Sequence, residues 1–123
     1  MLILLVEDHE DTRRAMTTLL GFSGHAVTPA ADGAAALATV DARAAAGDPS
    51  FDCAVVDLGL PDMTGTELMK QLVGRGLSLG VALTGSTTAD DVARCRDAGF
   101  SQHIPKPVTI EQLDQALRQL KQS

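Results

Sequence analysis

Short apolar runs and helix-patterned segments take turns five times along this chain, and that strict alternation narrows the fold more than any other feature. The apolar runs are Leu2 to Val6, a weak Ala26 to Pro29, Cys53 to Val56, Leu79 to Thr84 and Ser101 to Ile104. Between them, helix spacing predicts a segment from about Glu10 to Phe22, carrying Ala15, Met16, Leu19 and Leu20, and an alanine-rich one from Gly33 to about Ala46. Three later helices are announced by a hydroxyl followed three residues on by an acid or amide, the pattern that satisfies exposed N–H groups at a helix start. Thr64-x-x-Glu67 opens one with Leu68, Met69, Leu72 and Val73 on one side. Thr88-x-x-Asp91 precedes the next, with Val92, Ala93 and Ala98, and Thr109-x-x-Gln112 the last, with Ile110, Leu113, Leu117 and Leu120. Strand and helix pairs in this order build an α/β fold, a parallel sheet covered by helices on both faces. Central strands of such a sheet are continuously apolar, as Leu2 to Val6 and Cys53 to Val56 are. The stretch from Ala42 to Phe51 is longer than a connection needs, and a mobile loop is expected there.

The 123 residues have room for one domain, residues 1–123, and its core. A formal charge of -6 argues against direct binding of nucleic acid, which needs a basic face to displace counterions. The longest uncharged stretch, Ala15 to Ala31, carries Gly21, Gly24, His25 and Pro29 and lacks the apolarity of a membrane span. Met1 to Val6 has no basic segment before it and runs into Glu7, Asp8 and Glu10, unlike a signal peptide, so a cytoplasmic protein is expected. Cys53 and Cys95 stand far apart without metal-ligand spacing and read as small core residues. His9 and His25 are expected to have no direct chemical role.

One run poses a chemical question. Cys53-Ala54-Val55-Val56 is fit for the middle of a buried sheet, yet it ends on Asp57, followed by the turn Leu58-Gly59-Leu60-Pro61-Asp62-Met63-Thr64-Gly65. A buried strand gains nothing from a terminal carboxylate. In an open parallel sheet, however, ligands bind beyond the carboxyl ends of the strands. Glu7 and Asp8 follow the first strand, Asp57 the third, Thr84 ends the fourth and Lys106 follows the fifth, so all are expected to face one crevice. Three carboxylates that close repel one another, and a hard divalent cation such as Mg2+, with Mn2+ as an alternative, relieves the repulsion. Asp57 can then act as a nucleophile toward a phosphoryl group, with Lys106 and the Thr84 hydroxyl stabilising charge on the phosphoryl oxygens. Gly85 leaves room for the donor.

These residues identify a resemblance. Leu5-Val6-Glu7-Asp8, Val56-Asp57 through Gly65, Ala82-Leu83-Thr84-Gly85 and Lys106-Pro107-Val108 together resemble the receiver domains of bacterial two-component response regulators, over essentially the whole chain. The resemblance implies a flavodoxin-like (βα)5 three-layer sandwich with strand order 2-1-3-4-5. It implies that Asp57 is the phosphoacceptor, taking its phosphoryl group from a phosphohistidine on a histidine kinase or histidine phosphotransfer domain. Asp8, Asp57 and the main-chain carbonyl of Gly59 would bind Mg2+ directly, with Glu7 acting through water. Lys106 would contact the phosphoryl oxygens and precede a cis bond to Pro107, and Thr84 would swing toward the phosphate on activation. Gly59 and Ser86 occupy positions that modulate hydrolysis in the family, and the face of the fourth helix, fifth strand and fifth helix is where members dimerise or dock. One position departs from the commonest pattern: His103 stands where an aromatic ring usually turns inward as the threonine moves. Either its inward pose is sensitive to charge, since histidine titrates near neutrality, or it faces solvent and takes no part in switching. The segment Ala98 to Val108 is similar to receivers fused to hybrid sensor kinases; the chain is then either a piece of such a protein or a single-domain regulator acting by docking.

Other readings fare worse. A flavin binder needs aromatic loops, but the chain has no Trp, no Tyr and three Phe. A phosphohydrolase of the haloacid dehalogenase kind pairs its nucleophile with an acid two residues on, where Gly59 stands. Gly74 to Gly80 leads from helix to strand and so is no dinucleotide loop. A degenerate receiver that only binds proteins is the remaining alternative, although every acid, hydroxyl and lysine needed for phosphorylation is present.

Overall fold

The computed structural model describes residues 1–85 and 88–121. Five strands, β1 (Leu2–Val6), β2 (Ala26–Ala30), β3 (Cys53–Asp57), β4 (Gly80–Thr84) and β5 (Gln102–Pro105), alternate with α1 (Glu10–Phe22), α2 (Gly33–Ala46), α3 (Gly65–Gly74), α4 (Ala89–Ala98) and α5 (Ile110–Lys121). Every pairing is parallel and the strand order is β2-β1-β3-β4-β5, so β1 and β3 lie inside the sheet and the order in which strands are added reverses between them. The flavodoxin-like arrangement expected from the resemblance is therefore the one adopted.

Side chains alternate across a strand, and the alternation divides the core in two. Ile3 and Leu5 of β1, Cys53 and Val55 of β3, and Val81 and Leu83 of β4 pack with Met16, Leu20, Leu113 and Leu117, on the face covered by α1 and α5. Leu4, Val6, Ala54, Val56 and Ala82 pack with Ala36, Leu68, Leu72 and Cys95, on the face covered by α2, α3 and α4. Both cysteines are buried thiols. The apolar stripes are narrower than their spacing suggested. Leu19 and Val73 are each 44% exposed and Ala15 and Ala93 lie at the surface; the buried residues are Met16 and Leu20 on α1, Leu68, Met69 and Leu72 with Gly65 on α3, and Cys95 and Ala98 on α4.

The capping residues work as read. Thr64, Thr88 and Thr109 accept from the main-chain N–H groups of Glu67, Asp91 and Gln112, and Gln112 returns the bond to Thr109 N at 3.1 Å. Helix α2 ends at Gly47, whose φ of 75° is the left-handed conformation that costs a glycine little. The connection beyond it is tied down by Arg43, which donates to Pro49 O through two nitrogens and lies 4.8 Å over the Phe51 ring. Among the described residues no helix is long and apolar enough to cross a membrane.

Candidate functional site

The site forms where β1 and β3 end side by side. Continuing the alternation of β1 and β3, Glu7 and Asp57 fall on the α1 and α5 face, like Leu5 and Val55, and both are buried, at 4% and 3% exposure. Asp8 stands at the surface beside them. Two hydrogen bonds fix the turn that presents the first two acids: Glu7 N donates to Ala30 O at 3.1 Å, and the Arg13 side chain donates from Nη1 to Glu7 O at 3.1 Å. Asp57 Oδ1 accepts from Lys106 Nζ at 2.7 Å and from Gly59 N at 3.0 Å. Lys106 is itself held by its main-chain N–H, which donates to Thr84 O at 2.8 Å, and its bond to Pro107 is cis.

The charges do not balance. One carboxylate oxygen from each of Glu7, Asp8 and Asp57 lies within 4.8 Å of the others, against the single ammonium of Lys106. Burial, followed by the hydrogen bond to Asp57 and its charge, pushes the Glu7 carboxyl up to about 7. Burial works in the same direction on Asp57, but the hydrogen bonds from Lys106, Glu7 and Gly59 outweigh it and hold that carboxyl below its ordinary value. Asp57 is thus the ionised member of the pair and Glu7 the one that takes a proton. A set of oxygen donors carrying more negative charge than its surroundings will hold is the chemistry a hard divalent cation completes.

Glu7, Asp8, Asp57, Gly59 and Lys106 line one crevice, whose far wall is formed by Met16 and Leu19 of α1 and Ile110 of α5. Thr84 does not join them. It is buried at 6% exposure and lines the neighbouring cavity, with Thr64, Thr66, Gly85 and Arg94 and with Gly59 shared between the two. The pleat supplies the reason: Thr84 has the parity of Ala82, which faces α3 and α4, while Leu83 faces the crevice. His103 is exposed on β5. Ser86 lies outside the described residues.

Two residues that shape the site escaped the sequence reading. Arg13 ties α1 to the Glu7 turn. Asp62, passed over as part of a turn, accepts from Gly33 N at 3.0 Å and Ala34 N at 2.9 Å with its two carboxylate oxygens. No local pattern marks it, since those amides lie 29 and 28 residues away.

The sequence profile of the response regulator receiver domain matches residues 3–118. This chain belongs to that receiver family. Among its relatives, the receiver is 33% identical over 118 residues to the sensor histidine kinase RcsC of Salmonella typhi, spanning 95% of this chain and 12% of that protein. It is 33% identical over 117 residues to the transcriptional regulatory protein KdpE of Mycobacterium tuberculosis, spanning 95% of this chain and 49% of that protein. The receiver thus spans an eighth to a half of the curated relatives it matches. Among solved structures, the chemotaxis protein CheY4 of Vibrio cholerae superposes with a TM-score of 0.85 at 26% identity, over 97% of each chain.

Proposed function

We propose that this receiver takes a phosphoryl group onto Asp57 from a phosphohistidine carried by a histidine kinase or a histidine phosphotransfer domain. The observation that carries the reading is Lys106 Nζ at 2.7 Å from Asp57 Oδ1, in a crevice that Glu7 and Asp8 also line. An Asp57 oxygen attacks phosphorus, an oxygen–phosphorus bond forms as the phosphorus–nitrogen bond breaks, and the imidazole leaves with the electron pair and is protonated. The lowered carboxyl of Asp57 keeps the nucleophile ionised at neutral pH. Lys106 already has its ammonium at the attacking carboxylate, so a small rotation carries it onto a phosphoryl oxygen.

Asp8, Asp57 and the Gly59 carbonyl would hold Mg2+ or Mn2+, with Glu7 reaching it through water, and the ion would neutralise charge at the phosphoryl oxygens. Thr84 serves from the neighbouring cavity: its hydroxyl moves toward the new phosphate, and the movement biases α4, β5 and α5, the face through which the receiver docks or dimerises. His103 separates two outcomes: activation by a phosphoryl mimic that differs between pH 6 and pH 8 makes its ring part of the switch, and equal activation leaves it facing solvent.

Incubation with Mg2+ and a small phosphodonor, read by intact mass, tests the reading. Wild type gains one phosphoryl group and Asp57→Asn gains none. A wild type that gains nothing, or an Asp57→Asn variant that still gains one, sinks it and leaves a protein-binding module.

A further inference from the structure

We infer that Asp62 is a positioning residue for the divalent-ion site, acting by clasping the β3–α3 loop to the first turn of α2. The inference rests on the phosphoacceptor reading above.

The loop that follows Asp57 has no regular structure until α3 begins at Gly65, so no repeating ladder of main-chain bonds fixes the direction of the Gly59 carbonyl, although Leu58 N is anchored to Leu83 O at 3.1 Å. Contacts at both ends supply the constraint. At the far end, Gly65 comes so close to the loop's own start that a Cβ there would lie 2.7 Å from Leu58 Cα and 3.0 Å from Asp57 O, and Gly65 N donates to Leu58 O at 3.2 Å. In the middle, the Asp62 carboxylate takes the N–H groups of Gly33 and Ala34, one on each oxygen, and these bonds hold its carboxyl below the ordinary value.

Helix α2 did not need a foreign acid for its cap. Its own Asp32 accepts from Ala35 N at 2.7 Å, the usual capping bond. Asp62 takes the two amides that Asp32 leaves, so the helix start and the loop share one hydrogen-bonded junction. Beside it, Met63 lies against Gly33, where a Cβ would meet the methionine sulfur at 2.5 Å. Gly33 is therefore the residue that lets the loop sit down on the helix. With Leu58 and Gly65 closed upon each other and Asp62 and Met63 seated on α2, the intervening Gly59 has little freedom. Its N–H is already committed to Asp57 Oδ1, which leaves its carbonyl aimed by the loop. Groups one layer behind metal ligands commonly set affinity in this way.

The test is Mn2+ binding to the full chain by calorimetry, alongside thermal unfolding and phosphodonor labelling, for wild type, Asp62→Ala, Asp62→Asn and Gly33→Ala. Asp62→Ala should weaken Mn2+ on the order of tenfold. Asp62→Asn keeps an acceptor oxygen and should recover most of that loss. Gly33→Ala, which changes no charge, should weaken binding in the same direction as Asp62→Ala by lifting Met63. Equal Mn2+ affinity in wild type and Asp62→Ala, with only the melting temperature lowered, reduces Asp62 to a helix cap and overturns the inference. Asp62→Asn as weak as Asp62→Ala, with Gly33→Ala at wild-type affinity, makes the effect one of net charge and overturns it too. A wild type that neither binds Mn2+ nor labels fails at an earlier point, and takes down the phosphoacceptor reading together with this one.

Discussion

The two ends of the sheet each bring acid side chains together with nitrogen groups, and they do so in unlike proportions. At the carboxyl end, Glu7, Asp8 and Asp57 face one Lys106. At the amino end, Asp114 of α5 accepts from Ser23 Oγ at 2.9 Å and lies 3.6 Å from His25 Nε2, while His25 Nδ1 is 3.3 Å from the Met1 nitrogen and Arg118 lines the same cavity. There a single acid meets a hydroxyl and an imidazole and joins α5 to the turn after α1, while its Oδ1 makes no hydrogen bond. Three acids around one lysine are unbalanced, and a buried excess of charge is either protonated or neutralised by something bound. The carboxyl end therefore stores an electrostatic cost that a bound cation recovers, whereas the amino end gathers a single acid and no such excess of carboxylates.

Adding the ion should change the carboxyl end most. Saturating Mg2+ at about a hundred times its dissociation constant should stabilise the protein by about 2.7 kcal/mol at pH 8. An unfolding midpoint that does not respond to Mg2+ would show that the acids are balanced by other means.

Next in size is the removal of one charge without the ion. Glu7 has a folded value near 7, above its ordinary 4.5, so between those values the folded protein holds the extra proton and stability falls as pH rises. The stability contributed by the protonated form is complete below about 4.5 and is lost as pH rises through 7. The depressed Asp57 acts elsewhere: its contribution is present above its ordinary value and is lost only as pH falls through a lower one. Glu7→Gln should therefore gain on the order of 2 kcal/mol at pH 8 in metal-free buffer and flatten the decline between pH 5 and pH 8. Parallel denaturation profiles for the two proteins across that range would refute the account of Glu7.

The smallest effect belongs to the amino end. Asp114→Ala should cost about 1 kcal/mol through the lost Ser23 hydrogen bond, and should leave both the Mg2+ response and phosphodonor labelling as in wild type. A change in either would mean that the two ends are coupled through α5, and the contrast drawn between them would fail.

Much of this was readable in the chain before folding. The alternation of runs placed all five strands and helices, and the hydroxyls at Thr64, Thr88 and Thr109 marked three helix starts, because a cap is chemistry between residues three apart. The acids at Glu7, Asp8 and Asp57 and the lysine at Lys106 were legible because each follows an apolar strand, where a buried charge is conspicuous. That Thr84 follows Leu83 onto the other face of β4 is likewise written in the parity of the sequence. What was missing was which helices lie on which side of the sheet. Leu19 and Ala15 share the helix spacing of Met16 and Leu20 yet lie at the surface, because spacing reveals a stripe but not how much of it the sheet covers.

The sequence by itself determined the element order, the caps and the presence of a carboxylate where a buried strand ends, since these depend on neighbours along the chain. Only the tertiary structure decided that Lys106 touches Asp57, that Thr84 waits in a separate cavity and that Asp62 binds α2. Each of those joins groups far apart in the chain, and their distances are set by how the strands register and which face each helix covers.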